Sequence, residues 1–98
     1  MYEKILFEWD SRKAEENLAK HGVSFVEAGT VFYDDSALFI VDPDHPPGET
    51  RFIILGRSAQ MRLLVVCHCD GSEADAYRII SARRATRREA AKYMERLS

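Results

Sequence analysis

"TRFIILGRSAQMRLLVVCHCDGSEADAYRIISAR" (Thr50–Arg83) is the stretch on which the fold turns. It holds three apolar runs, in "TRFIILGRS", "RLLVVCHC" and "AYRIISAR", divided by a short loop near Ser58–Met61 and the turn "DGSEAD". Runs of this length, bounded by Gly, Ser and Asp, predict strands, and short connections make neighbours antiparallel. Side chains then alternate between two faces. Closing Ser58–Met61 as a four-residue loop sets Arg57 opposite Arg62 and Arg51 opposite His68. Carried across the next turn, this register sets His68 opposite Tyr77 and Arg62 opposite Arg83. One face is then expected to gather Arg57, Arg62 and Arg83 at one end, with Ser81 nearby, and Arg51, His68 and Tyr77 at the other. Facing arginines repel, and a phosphate, which matches the guanidinium fork, would relieve that repulsion.

Upstream, "KILFEW" reads as a strand and "DSRKAEENLAKHG" as a helix, capped by Asp10 and stopped by Gly22. "SFVEAGTVFYD" reads as a second helix with Ser24 and Glu27 as a capping box and Phe25, Ala28, Gly29 and Phe32 as its apolar stripe. Two helices so closely joined are expected to pack as an αα-hairpin. "ALFIV" is a short strand, and "DPDHPPGE" a proline-rich loop. Downstream, Thr86 and Glu89 form a second capping box that opens a last helix. The expected order is β-α-α-β-β-β-β-α. It describes an α+β fold, residues 1–98 forming one domain with a mainly antiparallel twisted sheet packed by helices.

Composition narrows the classes. No run of 18 apolar residues exists, so no membrane helix is expected. "MYEKILFEWD" lacks the basic start and long apolar run of a signal peptide, which points to a cytoplasmic protein. Cys67 and Cys69 read as reduced thiols packed on a strand. A metal site with His68 fails because His68 points to the opposite face and no second ligand pair completes it, so no metal is expected. The net charge of −2 conceals a split: residues 1–50 hold four basic and eleven acidic side chains, and residues 51–98 ten basic and five acidic. A basic surface for an anion and an acidic surface for another partner would explain it, as would neutralisation of one half by the other.

Seven of the twenty residues from Arg78 to Leu97 are Arg or Lys. Ala90, Tyr93, Met94 and Leu97 form an apolar stripe, so the last helix packs on the body. Arg83, Arg84 and Arg87 sit where the last strand gives way to that helix, the place expected to meet a nucleic-acid backbone. His68 is the sheet histidine whose titration range suits proton transfer. Arg51 is near it in this register, and Glu49 is a further possible base.

"FEWD" with Lys13, Asn17 and "KHGVSF", then "EAGTVFYD", "ETRFIILGRS" and "RIISARRATRRE", resembles the BrnT toxins of type II toxin–antitoxin modules, over nearly the whole chain and in the family's order. The resemblance implies a RelE-like fold and a ribonuclease that cuts RNA and arrests translation and growth, with no cofactor. It implies as partner a BrnA-like antitoxin with a ribbon-helix-helix part, which neutralises the toxin and carries the complex to operator DNA. The wider RelE-like group cuts without a metal, using basic residues on the sheet and at the start of the last helix. Those places hold Arg57 and Arg62, and Arg83 and Arg84. In such chemistry Arg57 and Arg83 would stabilise the phosphorane charge, Arg62, Arg84 and Arg87 would hold RNA, His68 would move protons and Arg51 would position substrate. The family often has Lys at position 84, Val or Thr at 67 and 69, and His at 68. Two other readings fit the same basic patch: a binding module that does not cleave, and a decayed toxin kept as a co-repressor with its antitoxin.

Overall fold

Capping groups set the helix boundaries in the computed structural model, which describes residues 4–98; residues 1–3 of the N-terminal stretch read above lie outside the described residues. Helix α1, Ser11–His21, begins where the Asp10 carboxylate accepts the amides of Arg12 at 2.8 Å and Lys13 at 3.2 Å. It ends at Gly22, whose φ of 70° suits a residue without Cβ. Helix α2, Phe25–Thr30, starts with the Glu27 amide donating to the Ser24 hydroxyl at 3.0 Å. The return arm of the expected capping box is absent, because the Glu27 carboxylate is turned to Ser58 and Arg62. A 3₁₀ turn, Val31–Tyr33, continues α2. Helix α3, Arg87–Leu97, opens with the complete Thr86–Glu89 box.

Among the described residues, five strands, β1 (Leu6–Glu8), β2 (Leu38–Val41), β3 (Phe52–Arg57), β4 (Leu63–Asp70) and β5 (Ala76–Arg84), lie side by side in the order β1-β5-β4-β3-β2. All pairs are antiparallel except β1 with β5. The expected α+β order and mainly antiparallel sheet are found.

The register is not the expected one. Arg57 pairs with Leu63 and Phe52 with His68, one residue away from the predicted alignment. The loop has three residues, Ala59–Met61, closed by the Ser58 amide on the Arg62 carbonyl at 2.8 Å. Met61 takes the left-handed conformation, φ 65°, that a three-residue hairpin loop demands, and no glycine marks the place. A one-residue slip exchanges every side chain of a strand between faces. Arg62 therefore leaves the Arg57 face. A second irregularity, opposite Cys67/His68, leaves Ile80 unpaired in β5, so Arg83 lies opposite Val65 and Arg84 opposite Leu64. The expected cluster of Arg57, Arg62 and Arg83 does not form, and neither do the Arg51–His68 and His68–Tyr77 cross-strand pairs.

The α1–α2 segment packs Val23, Phe25, Ala28 and, from the 3₁₀ turn, Val31 on one sheet face, against Ile54, Leu64, Val66, Ile79 and Ala82. The expected αα-hairpin is replaced by two helices that each lean on β5. Asn17, buried on α1, explains why. Among the described residues, β1 pairs only with Ala76, Tyr77 and Arg78, and the rest of that edge of β5 has no strand beside it. The Asn17 amide fills the gap, donating to the carbonyls of Ala82 at 2.8 Å and Val23 at 3.0 Å and accepting the Ala82 amide at 3.1 Å. Helix α3 covers part of the other face, where Tyr93 packs on Leu55 and Val65. Among the described residues, no helix is long and apolar enough to cross a membrane.

Candidate nucleic-acid interface

The face under α3 carries Arg51, Ile53, Leu55 and Arg57 from the Thr50–Ser58 run, Leu63, Val65 and Cys67 from β4, and Ser81 and Arg83 from β5. Arg57 stands at the end of β3. Its amide donates to Asp34 Oδ2 at 2.8 Å, and the Tyr93 hydroxyl donates to the same oxygen at 2.6 Å. The Arg57 guanidinium lies 5.9 Å from the centre of the Tyr93 ring, and its buried Nε has no hydrogen-bond partner among the described residues. Asp34 can approach because residue 56 is glycine: a Cβ there would fall 2.9 Å from Val31 and 3.1 Å from the Asp34 carboxylate. Burial pushes the Asp34 carboxyl up, but the Tyr93 hydroxyl, the Arg57 and Ser36 amides and the Arg57 charge hold it below the ordinary range. Burial, and then the bond to Asp34, raises the Tyr93 phenol. A cleft of 440 Å³ lined by Thr30, Tyr33, Asp34, Arg57, Ser58 and Ala59 opens beside this group.

Arg83 is held differently. Its two terminal nitrogens each reach one Glu89 oxygen at 2.8 Å, a bidentate pair, and Nη1 also donates to the Arg84 carbonyl at 3.2 Å. Glu89 belongs to the Thr86 capping box as well, so one carboxylate ties β5 to the first turn of α3. The Arg83 hydrogen bond, with help from Thr86, outweighs burial and lowers the Glu89 carboxyl to about 2. Arg83, Glu89 and Lys92 border a second cleft, of 190 Å³, floored by Leu38, Ile40, Ile53, Leu55 and Val65. Arg57 and Arg83 thus line two clefts. Arg87 and Arg88 are exposed at the start of α3, and Arg84, opposite Leu64, is exposed at the end of β5 on the side of α2; none has an ion-pair partner among the described residues.

The other residues singled out from the sequence lie elsewhere. Arg62 is on the α2 side, where Nε and Nη2 grip the two oxygens of Glu27 and Nη2 also meets the Gly22 carbonyl. Glu27 is 4% exposed, and its second oxygen also accepts the Ser58 hydroxyl at 2.7 Å. The Arg62 bond lowers the Glu27 carboxyl despite burial. His68, 1% exposed, is enclosed by Phe32, Phe52 and Tyr77, with ring centres 4.7, 5.9 and 5.4 Å away. Burial lowers its pKa, so the ring is neutral near pH 7. Arg51 lies at the far end of the α3 face, 3.6 Å from Glu49. Burial raises both the Cys67 and Cys69 thiols, and among the described residues no group of three His, Cys, Asp or Glu could hold a metal ion.

Asp34 and Tyr93, which set Arg57, escaped the sequence reading as site residues. Tyr93 was legible only as part of an apolar stripe, and Asp34 as the end of a helix. Their meeting spans 59 positions of chain, and no local pattern encodes it.

A family model described as "Ribonuclease toxin, BrnT, of type II toxin-antitoxin system" matches residues 9–89. Among solved structures, the 1.1 Å crystal structure of the Brucella abortus ribonuclease toxin BrnT is similar in fold, with a TM-score of 0.62 and 24% identity, over 86% of this chain and 100% of that one. No curated protein matches the sequence.

Proposed function

The chain belongs to the BrnT family of ribonuclease toxins of type II toxin–antitoxin systems, and from that premise we propose that it is a metal-independent endoribonuclease centred on Arg57. One observation carries the assignment to Arg57. Its guanidinium lies against the Tyr93 ring, its backbone amide is anchored to Asp34, and among the described residues it forms no ion pair with a carboxylate. A positioned cation not neutralised in an ion pair is what a developing phosphorane needs.

In the proposed reaction the 2′-oxygen forms a bond to phosphorus and the bond to the 5′-oxygen breaks. The products are a 2′,3′-cyclic phosphate and a 5′-hydroxyl. The 2′-hydroxyl proton passes to water, and the leaving oxygen takes one from water. His68 is neutral but enclosed, and Glu89 is too acidic to be an effective base. The chain's contribution is charge and orientation. Arg57 meets the non-bridging oxygens, and Arg84 and Arg87 track the backbone. Arg83 acts through Glu89, fixing the start of α3 that presents Arg87. A BrnA-like antitoxin would neutralise the protein by covering this surface.

Cleavage of RNA by the purified protein in EDTA, with mapped ends, tests the reading. Arg57→Ala is expected to cost about a hundredfold or more in rate with melting temperature nearly unchanged, and the wild type is expected to leave 5′-hydroxyl ends. Equal cleavage by both would remove Arg57 from the mechanism. A second reading, binding without cleavage, is favoured by the fact that carboxylates already neutralise Arg62 and Arg83. Intact RNA held in a salt-dependent complex, also in the presence of ribosomes, would support it instead.

A further inference from the structure

Strand β2 is the outer edge of the sheet and its whole sequence is Leu-Phe-Ile-Val. Phe39, Ile40 and Val41 are 59%, 56% and 55% exposed. Edge strands are ordinarily guarded by a charge, a proline or a bulge within the strand, and β2 has none of these. Its polar backbone is presented too. The Asp42 amide donates to the Arg51 carbonyl at 2.8 Å, which makes Leu38–Leu55 and Ile40–Ile53 the bonded pairs. The N–H and C=O groups of Phe39 and Val41 therefore point outward. Each face offers apolar footing beside them: Phe39 adjoins Phe32 and His68, with ring centres 6.4 Å from each, and Ile40 borders the cleft floored by Ile53 and Leu55.

We propose that β2 is a docking edge for an extended segment of a partner protein, apolar in its centre and basic at its ends, which adds to the sheet as a sixth strand. Charge selects this occupant. Asp35 precedes the strand and Asp42 and Asp44 follow it, and none has an ion-pair partner among the described residues. Arg96, which donates to the Ser36 carbonyl, stands at one end, and Arg51, across from Asp42 at the other, is already paired with Glu49. A second copy of this chain is the poorer fit. Antiparallel pairing of two β2 edges brings Asp35 of one copy toward Asp42 and Asp44 of the other, and parallel pairing aligns identical acids; like charges at such positions are destabilising. The proposal depends on no catalytic assignment.

The probe is a set of peptides of about nine residues with alternating Val, Ile, Phe and Thr centres, flanked by Lys in one series and by Glu in the other. Amide exchange and chemical shifts of the whole protein provide the readout. A Lys-flanked peptide is expected to protect the Phe39 and Val41 amides and to bind about tenfold tighter than its Glu-flanked twin, with the difference shrinking in salt. Val41→Pro removes one outward N–H without touching the ladder bonds to β3. It is expected to abolish peptide binding while leaving the melting temperature within a few degrees. Failure of every Lys-flanked peptide to protect these amides overturns the proposal. So does equal binding of both series, binding unaffected by Val41→Pro, or self-association of the protein through this edge.

Discussion

Arg62 and Glu27 show how a residue singled out for a site can also hold a buried charge in the fold. Glu27 is a buried carboxylate whose charge is balanced by a guanidinium gripping both of its oxygens. Removing only the cation strands that charge, which is costlier than removing both. Arg62→Ala is therefore expected to lower the melting temperature by several degrees, and Arg62→Ala/Glu27→Gln to recover part of the loss. RNA cleavage by Arg62→Ala, measured below its own melting point, should stay near wild type. Glu89 carries the clearest pH signature. Its carboxyl falls from an ordinary 4.5 to about 2 in the fold. A depressed carboxyl contributes stability that is complete above its unfolded value and is lost as pH falls toward the folded one. Acid titration of stability between pH 4.5 and 2 should thus be shallower in Glu89→Gln, which is expected to be less stable than the wild type at pH 7.

At the scale of elements, the turn before β4 holds a residue its conformation does not suit. Met61 sits at φ 65° and is 70% exposed, so its side chain gains little from packing. Met61→Gly is expected to raise stability by about 1 kcal/mol, read from the denaturant midpoint at constant slope. The same residue explains what the sequence could disclose. Caps at Asp10, Gly22, Ser24 and Thr86 were legible because each acts within three or four residues of its helix. The register was not, because a methionine in a glycine-like conformation and an unpaired Ile80 leave no compositional trace. For the candidate site, the Arg83–Glu89 tie lies close in sequence but was masked by reading Glu89 as a cap alone. Arg57 was singled out from the sequence, whereas its partners Asp34 and Tyr93 come together only when 3₁₀ turn, sheet and α3 are assembled.

Over the whole molecule, the acidic and basic halves of the chain partly neutralise each other at Glu27–Arg62, Glu8–Arg78 and Glu49–Arg51. Outside these pairs, a basic rim lies at the start of α3 and acidic residues flank β2. If RNA lies along the rim, the logarithm of its affinity should fall linearly with the logarithm of salt concentration, by about 0.7 for each phosphate contacted. Arg84→Ala and Arg87→Ala should each reduce that slope by about one contact's worth, measured by titration over a range of salt. The parallel pairing of β1 with β5 has a consequence in time as well as in space. The sheet joins its first strand to its last, and Asn17 waits for Ala82, 65 residues later. During synthesis the early helices emerge with no strand to lean on, and the pairing that fixes them is non-local and slow to form. The basic rim follows later still in the sequence, so a nascent chain completes its scaffold and its basic surface almost together.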